Sequence, residues 1–294
     1  MSGEIDMSKI AILADSSCDF TPERAQKAGF SVVPLQVTFE DGSVYRDGID
    51  LTSEEFFKKL AASKQLPKTS QPTIETWMDA MKQFADYDDI IVITVSGKMS
   101  GSLSGASMAR RMLREEEAFQ PNIHLIDSMT ASGAVAGFAL EAVRMVREGC
   151  RAQEILNRLL YLQNHLAVYF IFDSLEYLRK GGRIGKATAL AGKVMGIKPL
   201  LTFFEGEPKN VDKVRGVQAG CKKLVEGFLR HAADLHHVMV ISSCAPERVE
   251  MITRMLQTHI SDIAITYVEI GAVIGTYVGP GGIALVYEEK EARW

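Results

Sequence analysis

Residues that could form disulfide bonds or hold metal ions are scarce in this sequence. Its four cysteines, Cys18, Cys150, Cys221 and Cys244, are far apart, form no CxxC pair and have no histidine close by in the sequence. Closely spaced cysteines are the usual sign of a disulfide framework or a zinc site. We therefore expect reduced thiols, no bound metal ion and a location in the cytoplasm.

Long hydrophobic runs are also missing. No apolar run reaches the ~18 residues that a membrane-spanning helix needs, so we expect no transmembrane segment, which still leaves room for transient contact with a membrane. The opening residues, MSGEIDMSK, carry acidic side chains and lack the apolar centre of a signal peptide. The net charge of −4 argues against a general nucleic-acid-binding protein.

Catalytic residues are sparse around the polar loops. All six histidines lie away from the glycine-serine loops in the sequence, and no paired acids lie within those loops. A serine without a neighbouring base is a poor nucleophile. The motif GSLSG has Leu103, not serine, at its centre, so it is not the nucleophile elbow of α/β-hydrolases, and no GxxxxGK[ST] phosphate loop is present. The pattern favours binding over catalysis.

Length and composition predict a two-domain protein. The chain has 294 residues, of which 47% are hydrophobic, and can bury a substantial core. Strands alternate with helices through the first half, which predicts a largely parallel sheet with helices on both faces. We therefore predict an α/β fold with an N-terminal parallel-sheet α/β domain at 1–162. A C-terminal α+β domain with a mixed sheet is predicted at 163–294.

The most informative stretch runs from Ile90 to Gly105, IIVITVSGKMSGSLSG. An apolar strand is followed by a loop that carries Ser96, Ser100 and further serines among three glycines, and then by a helix-forming run. In an open α/β sheet, ligands bind at the carboxyl ends of strands. Glycines let the backbone approach a ligand, and hydroxyls donate hydrogen bonds. We interpret the loop as the polar end of a binding site, although a flexible connection would have the same composition.

Two further segments contain candidate binding residues. Thr69 and Ser70 precede Pro72 at a predicted helix start, where Ser70 could equally cap the helix. The segment 177–201 contains six basic residues and no acid, namely Arg179, Lys180, Arg183, Lys186, Lys193 and Lys198. Such a run indicates either an anionic partner or a solvated helix face. Its apolar residues, which include Val194 and Met195, would line a cavity or fill the core.

Three local patterns give further structural expectations. Phe30 to Phe39 is predicted as one strand. Lys213 to Arg215 is expected between a turn and a helix. Val273 to Gly282, VIGTYVGPGG, is predicted as a glycine-rich turn, and with no helix expected after it we exclude a dinucleotide site.

Over roughly Lys9 to Glu288 the chain resembles the DegV family, whose members bind long-chain fatty acids. The resemblance rests on five motifs, which are ADSSCDFTPE, KTSQP, SGKMSG, LRKGGRIGKATALAGKVMGIKPLL and VIGTYVGPGG. It implies a two-domain fold with a palmitate-like acyl chain buried between the domains. No cofactor is implied beyond the bound fatty acid.

The resemblance also implies roles for individual residues. Thr69 and Ser100 match the positions that hold the carboxylate, with Ser96 and Ser70 as neighbours. In many bacteria such proteins present the fatty acid to a separate ATP-dependent fatty acid kinase, which makes the acyl phosphate used in phospholipid synthesis. The chain itself would then be a lipid-binding subunit or carrier, not an enzyme.

Basic positions and two departures from the family pattern complete the expected site. Arg183 and Arg215 match positions expected to help dock the kinase. Tyr277 stands where family members of that pathway often have histidine, and we expect it at the carboxylate site as a hydrogen-bond donor that does not titrate near neutral pH. Ser102 and Leu103 replace a commoner Thr-Tyr pair.

Two alternative functions remain open from the sequence. One is a small-molecule kinase related to the dihydroxyacetone kinases, which would turn over ATP by itself. The other is a nucleic-acid or regulatory module, which would rest on the basic run alone and would bind DNA in a salt-sensitive manner.

Overall fold

The computed structural model describes residues 8–190 and 196–293, with all of their side chains except those of 188–190. The first half of the chain contains a four-stranded sheet in which all pairings are parallel. In spatial order its strands are β2 (Ser31–Val33), β1 (Ile10–Asp15), β6 (Asp89–Thr94) and β7 (Asn122–Asp127). The parallel sheet predicted from alternating strands and helices is confirmed.

Helices cover this sheet on both faces. In chain order they are α1 (Pro22–Ala28), α2 (Ser53–Ala62), α3 (Ile74–Lys82), α4 (Ser102–Arg114), α5 (Gly133–Arg147) and α6 (Ala152–His165). Thr21 and Thr52 cap α1 and α2, because each hydroxyl accepts a backbone N–H of the first turn. One face of the sheet packs against α3 and α4 and the other against α5.

The second half of the chain forms a six-stranded mixed sheet. In spatial order its strands are β10 (Glu207–Arg215), β9 (Ile197–Phe204), β8 (Leu166–Ile171), β13 (Gly282–Glu288), β11 (His237–Ser243) and β12 (Ala264–Glu269). Only the β11–β12 pairing is parallel among the pairings of the described strands. The accompanying helices are α7 (Glu176–Lys180), α8 (Val217–His231), α9 (Pro246–His259) and α10 (Ala272–Val278). The mixed sheet predicted for this half is confirmed.

A small antiparallel sheet completes the first half. Its strands are β4 (Val44–Arg46), β3 (Gln36–Thr38) and β5 (Lys68–Ser70), in that spatial order. Thr69 lies opposite Val37 in this sheet. The KTSQP motif therefore begins on an edge strand, not in a free loop.

The six-stranded sheet separates two cores. On β8, Val168 and Phe170 join the core that includes α5 and the first sheet. Ala167 and Tyr169 belong to the core that includes α8 and α9. This alternation follows from the two-residue period of side chains along a strand.

Three local predictions were wrong, each for a physical reason. The single strand expected over Phe30 to Phe39 is split into β2 and β3 around Pro34, which has no N–H to donate to a sheet. The segment with Lys213 to Arg215 belongs to β10, an edge strand whose charged residues hide its strand character. The expected turn at Val273 to Gly282 is mostly helix α10.

Glycine inside α10 explains the last of these errors. A Cβ on Gly275 would lie only 2.6 Å from the ring of Phe56. The glycine therefore reflects close packing of α10 against α2 and not a turn.

The helix cap expected at Ser70 is provided by Thr73, whose hydroxyl accepts the N–H of Thr76 at 3.1 Å. Lys193, Val194 and Met195 lie outside the described residues, as do the first seven residues. The predicted domain boundary after residue 162 falls inside α6, and it stays a prediction. Within the described ranges no helix is long and apolar enough to cross a membrane.

Candidate functional site

A cavity of about 330 Å³ lies between the strand ends of the first sheet and one face of the second. Its inner wall is apolar and buried, and includes Val168, Phe170, Phe203, Ile241, Val273 and Ala284. Val273 lies on α10, and the other five residues lie on strands of the second sheet. Such a volume is at the lower end of the range for small-molecule sites.

Polar side chains concentrate at one end of this cavity. We call this end the mouth, and define it by Thr69, Ser70, Gln71, Ser100, Arg183 and Tyr277, all of which line the cavity. Ser70, Gln71 and Arg183 are exposed, whereas the apolar wall is buried. The mouth is therefore the end that faces solvent.

Thr69 and Tyr277 meet at the mouth although they come from the two halves of the chain. Oγ1 of Thr69, on β5, lies 2.5 Å from the hydroxyl oxygen of Tyr277, on α10. The two hydroxyls carry two protons and use one in the bond between them. The other proton is available to an acceptor in the cavity.

Ser100 presents a further hydroxyl at the mouth. Its N–H donates to the carbonyl oxygen of Ser96 at 3.1 Å, and its Oγ accepts the N–H of Ser102 at 3.2 Å. Within residues 8–190 and 196–293 no protein acceptor takes the hydroxyl proton of Ser100. That proton is therefore also available to a ligand.

The structure does not bring Ser96 to the cavity. Ser96 is fully buried, and its hydroxyl donates to the carbonyl oxygen of Gly206 at 2.7 Å. The residue thus fixes the glycine-serine loop to the turn between β9 and β10. Ser70, in contrast, lines the cavity at its exposed edge.

The two arginines expected to dock a partner lie in different places. Arg183 is at the mouth, where its Nε donates to the carbonyl oxygen of Met99 at 3.2 Å. Its guanidinium carbon lies 5.1 Å from the centre of the Tyr277 ring. Arg215 is exposed at the end of β10, outside the cavity. A shared docking role for these residues stays a prediction.

Much of the positive charge of segment 177–201 is neutralised by acids from nearby turns and helices. Lys198 lies 2.5 Å from a carboxylate oxygen of Asp173, and Lys180 lies 2.9 Å from one of Glu176. Lys186 pairs with Glu205. Three of the five basic side chains that the structure describes in this segment are therefore paired with acids, which argues against a free basic surface for nucleic-acid binding.

Two aspartates, the buried Asp47 and the half-buried Asp19, hold the start of α10, which carries Tyr277. Asp47 Oδ1 accepts the N–H of Ala272 at 2.9 Å and that of Val273 at 3.3 Å. Asp19 Oδ1 accepts the N–H of Gly271 at 2.9 Å. These bonds fix a segment of the second half to the first half.

A third aspartate, the buried Asp15, holds the glycine-serine loop. Asp15 Oδ2 accepts the hydroxyl proton of Ser102 at 2.6 Å and the N–H of Val95 at 3.0 Å. Ser102 in turn donates its N–H to Ser100. Asp15 thereby sets the position of Ser100 through one intermediate residue.

Burial dominates the electrostatics of these carboxyl groups. Loss of hydration raises the pKa of Asp47 to about 6, although bonds from Ser16, Val273 and Ala272 oppose the rise. Burial also raises the pKa of Asp15, and it raises the pKa of Asp19 well above the ordinary value. The ionised form of each of these carboxyl groups is therefore less favourable in the folded protein than in water.

Two glycines allow the close approaches at the mouth. A Cβ on Gly101 would lie 1.8 Å from Oε1 of Gln71, and a Cβ on Gly181 would lie 2.4 Å from the ring of Tyr277. Larger residues at these positions would displace the mouth side chains that they contact. The glycine-rich composition of both motifs thus has a packing reason.

Sequence reasoning missed several residues of this site. Gln71 lies at the mouth and Ser132 lines the cavity, with its hydroxyl donating to Asp19 at 2.5 Å. Ser132 has a φ of 62°, a left-handed conformation that is uncommon for serine. The sequence feature that indicates Gln71 is its position in the KTSQP motif. No local signal pointed to the partners of Asp19 and Asp47 at the start of α10, which are more than two hundred residues away in the chain.

The arrangement suits binding of an amphiphile with an acidic headgroup. Among the described residues that line the cavity there is no aspartate, glutamate or histidine, and Arg183 is the charged one. No group of three or more potential metal ligands occurs in the described ranges. Hydroxyl donors and one cation at the mouth can hold an anion, and the apolar interior can hold a hydrocarbon chain.

Known proteins match this chain over nearly its full length. The family model of the uncharacterised DegV family matches residues 9–290. A DegV domain-containing protein of Staphylococcus aureus strain N315 is 32% identical over 290 residues, which cover 97% of this chain and 99% of that protein.

Solved structures match the fold as well. A fatty-acid-binding DegV family protein from Thermus thermophilus has a TM-score of 0.84 and 27% identity, covering 95% of this chain and 99% of that one. The fatty acid kinase B3 protein of Streptococcus pneumoniae, loaded with linoleic acid, has a TM-score of 0.82 and 20% identity, with coverage of 95% and 99%. The second match, at its lower identity, shows the shared fold alone.

Proposed function

Because the chain belongs to the DegV family, we propose that it binds a long-chain fatty acid, with the tail inside the cavity and the carboxylate at the mouth. The observation that carries this proposal is the division of the cavity into a buried apolar interior and a hydroxyl-lined end that faces solvent. The fatty-acid binding of the Thermus thermophilus protein supports it.

The apolar interior supplies most of the binding free energy. Burying a methylene group stabilises a complex by about 0.8 kcal/mol, so a sixteen-carbon tail contributes on the order of 10 kcal/mol before the cost of ordering it. Tight binding therefore does not require a strong ion pair at the headgroup. The mouth is left to orient the carboxylate.

We assign the headgroup contacts to Thr69, Ser100 and Tyr277. The Thr69–Tyr277 pair has one proton to donate and Ser100 has another, so together they can satisfy two lone pairs of a carboxylate. The guanidinium of Arg183, beside Tyr277, adds a favourable positive charge. A headgroup held mainly by neutral donors stays exposed enough to react with a second protein.

We further propose that the bound fatty acid is presented to a separate ATP-dependent kinase. The γ-phosphoryl group of ATP would pass to a carboxylate oxygen, giving the acyl phosphate and ADP. Arg183 and Arg215 are exposed and offer positive charge for docking that partner. Such a role places the protein in the cytoplasm, where ATP is available.

Ligand binding can be tested with the delipidated protein. Fatty acids that co-purify are first identified by mass spectrometry, and palmitate, octanoate and 1-hexadecanol are then titrated. We expect palmitate to bind far more tightly than octanoate, which lacks eight methylenes, and more tightly than the alcohol, which lacks the charge. Equal affinity for palmitate and octanoate would contradict the assignment of the cavity to an acyl tail.

The presentation step needs its own assay. The palmitate-loaded protein is mixed with ATP, with and without a bacterial fatty acid kinase subunit, and acyl phosphate is measured. We expect product only when both proteins are present. ATP turnover by this chain alone would instead support the small-molecule kinase alternative.

A further inference from the structure

A second cavity, of about 230 Å³, lies on the opposite face of the six-stranded sheet, beneath α8. Tyr169 and Tyr287, from the neighbouring strands β8 and β13, line it, and their ring centres are 6.0 Å apart with the planes tilted by 28°. Leu200 and Leu224 add apolar contacts. The strands of the sheet therefore offer an aromatic and aliphatic surface to a small molecule, beside the charged side chains that also line the cavity.

The hydroxyl of Tyr287 has no hydrogen-bond partner among the described residues. The side chain is only 4% exposed, and its residue lines this cavity. Burial raises the pKa of Tyr287, so the hydroxyl keeps its proton and can act as a donor. A buried donor without an acceptor is destabilising, and an acceptor placed in the cavity would relieve that cost.

Gly227 lies beside this hydroxyl. It is inside α8, where glycine is less favourable than alanine. A Cβ at this position would be 3.4 Å from the Tyr287 hydroxyl, an ordinary contact, so packing does not require glycine. The glycine therefore omits the methyl group that would contact the hydroxyl, at the expense of helix stability.

The rim of the cavity has two acidic and two basic side chains, Asp212, Glu226, Lys223 and Arg230, with His231 beside them. Lys223 pairs with Asp212 at 2.8 Å, and Glu226 lies 3.7 Å from Lys222. Arg230, which also lines the cavity, forms no ion pair within the described ranges. A ligand with a negative group near the rim would supply the missing partner.

We propose that this second cavity binds a small planar anion, an aromatic ring that has a carboxylate at the rim and a hydrogen-bond acceptor directed at Tyr287. The ring packs on Tyr169 and Tyr287, the carboxylate faces Arg230, and the acceptor takes the proton of the Tyr287 hydroxyl. This site is separate from the fatty-acid cavity, because the two lie on opposite faces of one sheet.

Isonicotinate and benzoate make a matched pair of probes. They have the same shape, and only isonicotinate has a ring nitrogen acceptor opposite its carboxylate. By calorimetric titration of the wild-type protein, we expect isonicotinate to bind about 10-fold more tightly than benzoate. Tyr287→Phe should abolish this preference, and Arg230→Gln should weaken both probes by a similar factor.

Gly227→Ala should change stability and ligand binding in opposite directions. The added methyl group should raise the denaturation midpoint, since alanine is the better helix former, and should weaken isonicotinate several-fold by covering the hydroxyl. As a control, Thr69→Ala should leave isonicotinate affinity unchanged. Absence of saturable binding at millimolar isonicotinate, or equal affinity for both probes, overturns the proposal. Unchanged binding in Gly227→Ala does so as well.

Discussion

Hydroxyl groups occur in two adjacent regions of this protein, and their partners differ. At the mouth, Thr69 bonds to Tyr277, and the hydroxyl proton of Ser100 meets no acceptor within the described ranges. Beneath the mouth, Ser102 donates to Asp15 at 2.6 Å, and Ser16 donates to Asp47 at 2.8 Å. Serine thus keeps an unused hydroxyl proton in one region and holds the fold in the other.

The difference lies in whether a carboxylate is within reach of the hydroxyl. A hydroxyl that donates to a buried carboxylate is fixed by a charge-assisted bond and cannot serve a second acceptor. A hydroxyl that meets only another hydroxyl keeps a proton for an incoming anion. Substitutions beneath the mouth should therefore change stability first, and substitutions at the mouth should change ligand binding first.

The largest effect is expected for Asp47→Ala. The change leaves Ser16 and the N–H groups of Ala272 and Val273 without an acceptor. Relief of the cost of burying a charge offsets part of this loss, and we expect the free energy of unfolding to fall by about 3–4 kcal/mol. Denaturant unfolding measures it. Asp50→Ala, at an exposed position that pairs with Arg46, is the control and should change stability by less than about 1 kcal/mol.

A change in pH should have a somewhat smaller effect on the free energy of unfolding. Burial raises the pKa of Asp47 to about 6 in the folded protein, above its ordinary value of 3.8. The folded state then binds the proton more tightly than the unfolded state does, so the stabilisation is complete below pH 4 and is lost as the pH rises through 6. The difference between the two pKa values corresponds to roughly 2–3 kcal/mol of unfolding free energy.

Asp47→Asn isolates this contribution. The amide is neutral at every pH and still has an oxygen that accepts from α10. Between pH 4 and pH 7, the wild-type protein should therefore lose roughly 2–3 kcal/mol of unfolding free energy relative to the variant. Parallel pH profiles for the two proteins would show that Asp47 does not titrate in this range.

The mouth could be predicted from the sequence better than the region beneath it. Thr69 and Ser100 lie in short motifs, and strand-end loops with glycine and serine are readable locally. Asp19 and Asp47 bond to backbone groups of residues 271–273, and nothing in their neighbouring sequence indicates partners so distant. The strands also differ in how well local sequence predicts them. The buried parallel strands were predictable from their apolar residues, whereas the charged edge strand β10 was not.

Ser96 shows where composition misleads. It belongs to the same loop as Ser100, and both were predicted at the carboxylate site. The hydroxyl of Ser96 lies in the interior, where it bonds to Gly206, and only the three-dimensional packing of the β9–β10 turn decides this. Serines of one motif therefore cannot be assigned the same role from their spacing alone.

At the mouth, Thr69→Ala and Ser100→Ala should each weaken palmitate about 10-fold, because each removes one hydrogen bond to a charged group. The delipidated variants should keep nearly the wild-type unfolding free energy. Thr73→Ala is the matched control, since that hydroxyl caps α3 outside the cavity and its loss should change stability, not affinity. Unchanged palmitate affinity in both mouth variants would remove these hydroxyls from the site.

The smallest effect on palmitate binding is expected for substitution of Tyr277. Tyr277→Phe removes one hydroxyl but leaves the Thr69 proton free to reach the ligand, so we expect palmitate to bind only about 3-fold more weakly. Tyr277→His is more informative, because it introduces an imidazole, which ordinarily titrates near pH 6.5. Palmitate affinity of the histidine variant should increase as the pH falls from 8 to 6 by more than that of the wild-type protein. If both proteins show the same dependence on pH, the side chain at 277 does not contact the carboxylate.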